Sequence, residues 1–226
     1  MDKSLKQKIA LYYDERAREY DEIYIGKGPA IPDPIAYQKD VKKVSEIASG
    51  FGEGHLIDIG CGTGFWLPYY AQNCSLITLL DQSEKMLSEC KKRVDELGLK
   101  YKCNLVKGDF FETHFEDSSF DSTLTGFLIS HLTSEQEKSF FVKLKKSLKP
   151  QGQLMLIDSA WSDKRKQFRK KEGMQDRVLN DGRVFTIYKR YFDKSDVEQI
   201  FEKHSFKLQS FYCGEVMLVS IGEVKP

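Results

Sequence analysis

This chain has no apolar run approaching the roughly 20 residues that cross a bilayer. Its start, Met1-Asp-Lys-Ser-Leu-Lys, has no apolar leader core behind it. The expectation is a cytoplasmic protein with no membrane attachment. Charge of one sign is also lacking. The 35 Lys and Arg nearly cancel the 34 Asp and Glu, for a formal net charge of +1, so no global field gathers nucleic acid. Paired cysteines are absent too. Cys61, Cys74, Cys90, Cys103 and Cys213 contain no C-x-x-C pair. An odd, scattered set argues for reduced thiols rather than a disulfide framework or zinc site, and no metal is expected. There is no internal repeat and no low-complexity linker. What remains is a globular composition, 40% hydrophobic and 31% charged, in 226 residues. That length can bury the core of one domain.

The most informative segment is His55-Leu-Ile-Asp-Ile-Gly-Cys-Gly-Thr-Gly-Phe65. An apolar stretch of strand length ends in Gly60, Gly62 and Gly64, and a helix-compatible stretch follows from Phe65. Glycines at alternate positions let a backbone turn sharply and approach a ligand closely. Strand, glycine turn and helix together are how open α/β sheets bind nucleotide-like cofactors. Asp81 ends the next apolar run, Leu76 to Leu80, where a carboxylate can accept hydrogen bonds from ribose hydroxyls. The dinucleotide fingerprint G-x-G-x-x-G needs glycine at position 65, and this chain has Phe65. A pyrophosphate-binding turn is therefore not what is written here.

The G-x-G-x-G turn resembles motif I of the class I S-adenosylmethionine (SAM) methyltransferases, whose cofactor carries no phosphate. Further segments fit in order: Asp81-Gln-Ser-Glu-Lys-Met86; Leu105-Val-Lys-Gly-Asp-Phe110; Phe120 to Leu132; and Leu148-Lys-Pro-Gln-Gly to Asp158. The resemblance covers roughly residues 55 to 158. It implies SAM as cofactor and S-adenosylhomocysteine (SAH) as product. It places Asp58, Gly60, Cys61, Gly62, Thr63, Gly64 and Trp66 around the cofactor. Asp81, Gln82 and Met86 join them, with Gly108, Asp109 and Phe110 at the adenine and Gly126, Phe127 and His131 after the fourth strand. At the N-terminus, Tyr13-Asp-Glu-Arg-Ala-Arg-Glu-Tyr-Asp21 is similar to the Y-D-x-x-A-x-x-Y-D lead-in of small-molecule members, so Tyr13 and Tyr20 are expected to cover the pocket. Plain alternatives stay open: Asp109 as a turn carboxylate, Met86 as a core side chain, the tyrosines as helix packing.

The implied fold is α/β, a doubly wound seven-stranded, mostly parallel sheet with an antiparallel last strand and an N-terminal helical lid. Periodicity predicts helices over 3–22, 35–49 and 194–204, and strands over 206–213 and 215–221 with only Gly214 between them. Gly26 to Pro34 reads as a breaker segment. One domain is expected: a cap over 1–50, a SAM-binding core over 51–158, a lid insertion over 159–193, and a C-terminal helix and hairpin over 194–226. In the insertion, alternation past the Asn180-Asp-Gly182 turn would put Arg183, Phe185, Ile187 and Lys189 on one face.

Displacement at a sulfonium needs alignment and exclusion of water more than acid–base help. His131, at the mouth of the switch point, is the candidate base. Arg177, Arg183 and Lys189 are the candidate acceptor-binding residues. O- or N-methylation of a small molecule, by a monomer or homodimer, is the favoured expectation. Neither the Asp/Asn-Pro-Pro-aromatic motif of amino-directed nucleic-acid enzymes nor the Pro-Cys nucleophile of cytosine-C5 enzymes is present. The run Lys164 to Lys171 is basic but reads as a solvated helix face. Two alternatives remain, an RNA- or protein-directed methyltransferase using that run, and a non-catalytic SAM- or SAH-binding regulator.

Overall fold

Two apolar layers sandwich one sheet, and the alternation of the central strands sorts their side chains between the layers. The computed structural model describes residues 3–29 and 33–225; Ala30, Ile31 and Pro32 of the breaker segment lie outside the described residues. In β1 (His55–Ile59) Leu56 joins one layer while Ile57 and Ile59 join the other. In β5 (Leu148–Ser159) Met155 and Ile157 oppose Leu154 and Leu156 in the same way. Strands buried on both faces read as continuous apolar runs.

The sheet order is β3-β2-β1-β4-β5-β9-β8. β2 (Leu76–Asp81), β3 (Cys103–Lys107) and β4 (Phe120–Gly126) complete the parallel part with β1 and β5. β9 (Met217–Val224) runs antiparallel between β5 and β8 (Phe206–Cys213). The chain therefore reverses direction across the sheet between β1 and β4, where ligands bind in such folds.

α2 (Pro34–Ala48) and α4 (Glu84–Glu96) cover one face; α5 (Ser134–Ser147) and α7 (Lys194–Lys203) cover the other. Their starts are written locally. The Ser83 hydroxyl accepts from Met86 N, and Thr133 and Asp193 each form a capping box; such caps are worth about 1 kcal/mol each. Among the described residues no helix is long and apolar enough to cross a membrane.

Four boundaries differ from the periodicity. α1 spans Lys3–Arg16 and stops short of 22; a 3-10 turn over Tyr20–Ile25 follows, because Asp21 leaves the helix to bind the core. The helix after the glycine turn, α3 (Leu67–Tyr70), is a single turn opened by Pro68 and followed by a 3-10 turn at Ala71–Asn73. The connection between β8 and β9 is Gly214 to Val216 rather than Gly214 alone. Buried Asp40 accepts from Val216 N (2.7 Å), Met217 N (2.9 Å) and the Tyr212 hydroxyl (2.9 Å), which holds the loop open, and a Cβ at Gly214 would collide with that carboxylate. The insertion is not a bare loop. It holds α6 (Asp163–Lys166) and an antiparallel ribbon of β6 (Glu172–Val178) and β7 (Val184–Arg190).

Candidate active site

The glycine turn joins β1 to β2 before it meets any ligand. Gly60 N and Cys61 N donate to Leu80 O at 2.8 and 3.0 Å. Gly62, at φ 55, turns its N–H onto Asp81 Oδ2 (2.9 Å), while Ser83 N donates to Asp81 Oδ1 (2.8 Å). Burial raises the Asp81 pKa and these backbone donors oppose it. Gly64 has a different duty: a Cβ there would stand 2.8 Å from Cys90 Sγ, so the turn can lie on α4 only with glycine.

Around this turn the strand ends enclose a cleft of about 960 Å³, open to solvent. Tyr13, Tyr20, Gly60, Gly62, Asp81, Gln82, Met86, Gly108, Asp109, Phe110, Gly126, Phe127 and His131 all line it. Asp58, Cys61, Thr63, Gly64 and Trp66 do not line it: the side chains of Asp58, Cys61, Thr63 and Trp66 are turned to packing and docking, and Gly64 lies against Cys90 of α4. The Thr63 hydroxyl donates to Asp21 (2.5 Å), and Trp66 packs on Tyr24 and Phe65. Asp58 accepts from the Tyr70 hydroxyl (2.8 Å) through Oδ2, while its Oδ1 is buried with no hydrogen-bond partner. Burial pushes the Asp58 carboxyl up to about 7 against that hydrogen bond.

The tyrosine segment is held down by the acid after each tyrosine, a pairing the sequence pattern displayed without revealing its purpose. Asp14 accepts from the Ser83 hydroxyl (2.8 Å) and pairs with Lys85 (3.2 Å). Asp21 takes Thr63 and, at 2.6 Å, Arg93 of α4. With the aspartates bound to the core, Tyr13 and Tyr20 close the cleft. The Tyr13 hydroxyl lies 2.7 Å from His131 Nε2, and His131 Nδ1 lies 2.7 Å from Tyr188 O. A carbonyl can only accept, so Nδ1 carries the proton and Nε2 accepts from Tyr13. Burial first, then Lys189, Arg177 and Arg16, hold the His131 pKa well below the ordinary histidine value.

A second cleft, about 1130 Å³ including open solvent, lies across this wall. Tyr13, Tyr20, Phe127 and His131 line both. Phe127 adopts φ 56, a left-handed conformation rare for a bulky residue. Of the candidate acceptor residues, Arg177 and Lys189 reach the second cleft. Lys189 is buried and already paired with Asp158 (3.3 Å) and the Ser130 hydroxyl. Phe185, Ile187 and Lys189 turn inward as the alternation requires. Arg183 does not follow them: it precedes β7, stays half exposed, and binds Asp181 and Glu15 at 2.7 Å, tying the ribbon to α1. Sequence reading also missed Arg16, Arg165 and Arg169 in this cleft. Within the basic run, Lys164 and Lys171 are consumed by Asp33, Glu215, Asp193 and Asp196.

Residues 56–152 match the sequence profile of a family described as a methyltransferase domain. The biotin biosynthesis bifunctional protein BioHC of Teredinibacter turnerae is 29% identical over 157 residues, 65% of this chain and 25% of that protein. A demethylmenaquinone methyltransferase of Listeria welshimeri is 29% identical over 129 residues, 56% of this chain and 52% of that one. The chain thus spans between a quarter and about half the length of these curated relatives. A solved structure described as a DhpI–SAH complex is similar in fold, with a TM-score of 0.79 at 19% identity over 100% of both chains.

Proposed function

We propose that this chain, whose residues 56–152 match a family described as a methyltransferase domain, is a class I SAM-dependent enzyme that transfers a methyl group from SAM to a small-molecule acceptor. The observation that carries this is the pair of clefts at the switch point, divided by a wall of Tyr13, Tyr20, Phe127 and His131. A cofactor on one side and an acceptor on the other would meet at that wall.

The residues of the first cleft suit SAM. Each Asp81 oxygen already takes one backbone N–H and keeps acceptor capacity for ribose hydroxyls. The partnerless Asp58 Oδ1 needs a donor, and a ligand ammonium or a water behind the glycine turn would supply one. When bound, the cofactor supplies a methyl group on a sulfonium, already activated towards displacement.

The protein's part is to orient the acceptor, exclude water and receive a proton where the acceptor carries one. Tyr13 and Tyr20 close over the cleft. Neutral His131 keeps its Nε2 lone pair on the Tyr13 hydroxyl, so an acceptor proton would reach His131 by way of that hydroxyl. This favours O- or N-methylation, in which such a proton must leave. On this reading the whole chain works as one unit, with residues 1–50 as cap, 51–158 as core, 159–193 as lid and 194–226 as sheet completion. The pairing of Lys164 and Lys171 with acids shortens the basic run that an RNA-directed enzyme would use, which supports a small acceptor.

Calorimetry tests the cofactor step. SAH should bind and NAD should not, and Asp81→Ala should weaken SAH by roughly 1.5–3 kcal/mol for each lost hydrogen bond to the charged acceptor. NAD binding without SAH binding overturns the proposal. Tritium transfer from labelled SAM into metabolite, RNA and protein fractions then separates a small-molecule enzyme from the RNA- or protein-directed alternative and from a non-catalytic binder.

A further inference from the structure

The second cleft gathers guanidinium groups that form no ion pair among the described residues. Among the described residues, arginine ion pairs are made by Arg93, Arg183 and Arg190. Arg16, Arg165, Arg169 and Arg177 make none, and all four line the cleft. Arg165 is only 7% exposed. It donates to Val216 O (3.1 Å), and its guanidinium carbon sits 4.5 Å over the Tyr191 ring. Arg177 donates to the Tyr191 hydroxyl (3.0 Å), which itself donates to Gln175 Oε1 (2.9 Å). Arg16 donates to the Tyr12 hydroxyl (2.7 Å) and lies 5.1 Å over the Tyr20 ring. Each is supported by a neutral oxygen or an aromatic face, which orients a guanidinium and leaves its charge uncompensated.

The surroundings sharpen the contrast. Glu19 and Glu22 also line the cleft and keep their charge, since Asn180 gives them only neutral donors; neither forms an ion pair with an arginine there, and the four guanidinium groups with Lys27 outnumber them. Asp158 is taken up by Lys189 and by the backbone N–H groups of Ser130 and Ser159. Just outside, Lys164 and Lys171 of the same basic run are paired with acids. Burial raises the Tyr191 hydroxyl, yet Arg177, Arg165, Lys189 and Arg169 together hold it below the ordinary tyrosine value. Burying a charge without a partner is costly, so buried Arg165, with half-buried Arg16, Arg169 and Arg177 beside it, favours a counter-charge from outside.

Resting on the methyltransferase reading, we propose that the acceptor is an anion, held in the second cleft through a carboxylate or phosphate-type oxyanion by Arg165, Arg177 and Arg16. The planar fork of arginine matches such oxyanions in two-point contact. The anionic end lies towards Tyr191, and the atom that receives the methyl group lies towards Tyr13, Phe127 and His131. Arg165 belongs to a run whose composition suggested only a solvated face, and its role comes from the chain folding back over β9.

The test titrates the full chain, saturated with SAH, with acetate, with methylphosphonate and with ethylammonium, at constant ionic strength. Saturable binding of at least one oxyanion and none of ethylammonium is expected; the acetate and methylphosphonate arms separate a carboxylate acceptor from a phosphate-type one. Arg165→Gln and Arg177→Gln should each weaken that binding by at least about tenfold while SAH affinity is kept, and Lys91→Gln on exposed α4 should change neither. If one arginine variant loses SAH binding through misfolding, the other carries the comparison. No oxyanion binding by the SAH complex, or equal affinity in the arginine variants, overturns the proposal. Oxyanion binding in a protein that does not bind SAH would overturn the methyltransferase reading and leave the anion site standing.

Discussion

Phe127 and Asp58 each hold a state that their residue type disfavours, Phe127 in the wall between the clefts and Asp58 buried behind the first one. Phe127 sits at φ 56 in the wall between the clefts, with its N–H on Ile157 O (2.8 Å). A left-handed conformation costs an L-residue about 1–2 kcal/mol. Phe127→Ala keeps that strain and loses the ring; Phe127→Gly loses both. The glycine variant should therefore be about 1 kcal/mol more stable than the alanine variant in urea unfolding, and both should transfer methyl groups poorly. Equal stability would mean that the backbone is not held there. For Asp58, the folded pKa of about 7 lies above the ordinary aspartate value, with burial as the main cause. The folded state thus favours the protonated acid, and stability falls as pH rises from about 4 to about 7, with a slope of at most about 1.4 kcal/mol per pH unit. Asp58→Asn should abolish this slope. If a cofactor ammonium serves the free Oδ1, SAH should bind more tightly as pH rises towards 7 in the native protein and not in Asp58→Asn. An identical pH dependence of SAH binding in the two proteins would remove Asp58 from the cofactor site.

The elements that close the clefts are tied together by polar side chains rather than by a large apolar interface. α1 docks on α4 through Asp14, Glu15 and Lys85, and the 3-10 turn docks through Asp21 on Thr63 and Arg93. The ribbon meets α1 through Arg183 and Glu15 and through a small cluster of Ile9, Tyr12, Leu179 and Ile187, and it meets the start of the 3-10 turn through Asn180 and Glu19. Such contacts are individually weak and suit elements that must open for ligand exchange. Asp21→Asn should weaken SAH binding by about 1 kcal/mol, roughly fivefold, because the tyrosine turn loses its anchor. Hydrogen exchange should quicken over residues 7–25 in that variant and leave β5 unchanged. In the native protein, SAH should slow exchange in the described residues 7–29 and in 159–193, again with little change in β5. Exchange indifferent to SAH in both segments would remove the lid role.

At the scale of the molecule, residues from 1–50, from 159–193 and from the sheet share the lining of the two clefts, so a ligand bound there would link its binding to folding. SAH at a hundredfold excess over its Kd should stabilise the protein by about 2.7 kcal/mol. If residues 1–50 and 159–193 act as one unit with the core, calorimetry should show a single unfolding transition that moves upward with SAH as a whole. A cap that melts separately, below the main transition and at a temperature insensitive to SAH, would contradict the single-unit reading. Acid should weaken the assembly at His131. Its folded pKa is depressed, chiefly by burial, so the stability present above the ordinary histidine pKa of about 6.5 is lost as pH falls towards the folded value. The stability difference between native protein and His131→Asn should therefore shrink between about pH 6.5 and pH 5.

What the sequence by itself determined is what lies close along the chain. Strand, glycine turn and acid at positions 55 to 81 form one local unit, and Gly62 meets Asp81 directly. The seven-strand order with its antiparallel last strand followed from the alternation of patterns and from the resemblance, and the caps at Ser83, Thr133 and Asp193 are local by nature. Tertiary structure alone decided where helices stop, which acids bind the core and which cations go unpaired. α1 ends at Arg16 because Asp21 is drawn to Thr63 and Arg93, and the hairpin opens because Asp40 takes its N–H groups. Arg183 looked like a cleft residue and is a tie to α1, whereas Arg165 looked like surface and is buried over Tyr191. The physical reason is common to all of these: hydrophobic periodicity reports which face of an element is buried, while the partner of a charge is chosen by long-range contacts that no local spacing encodes.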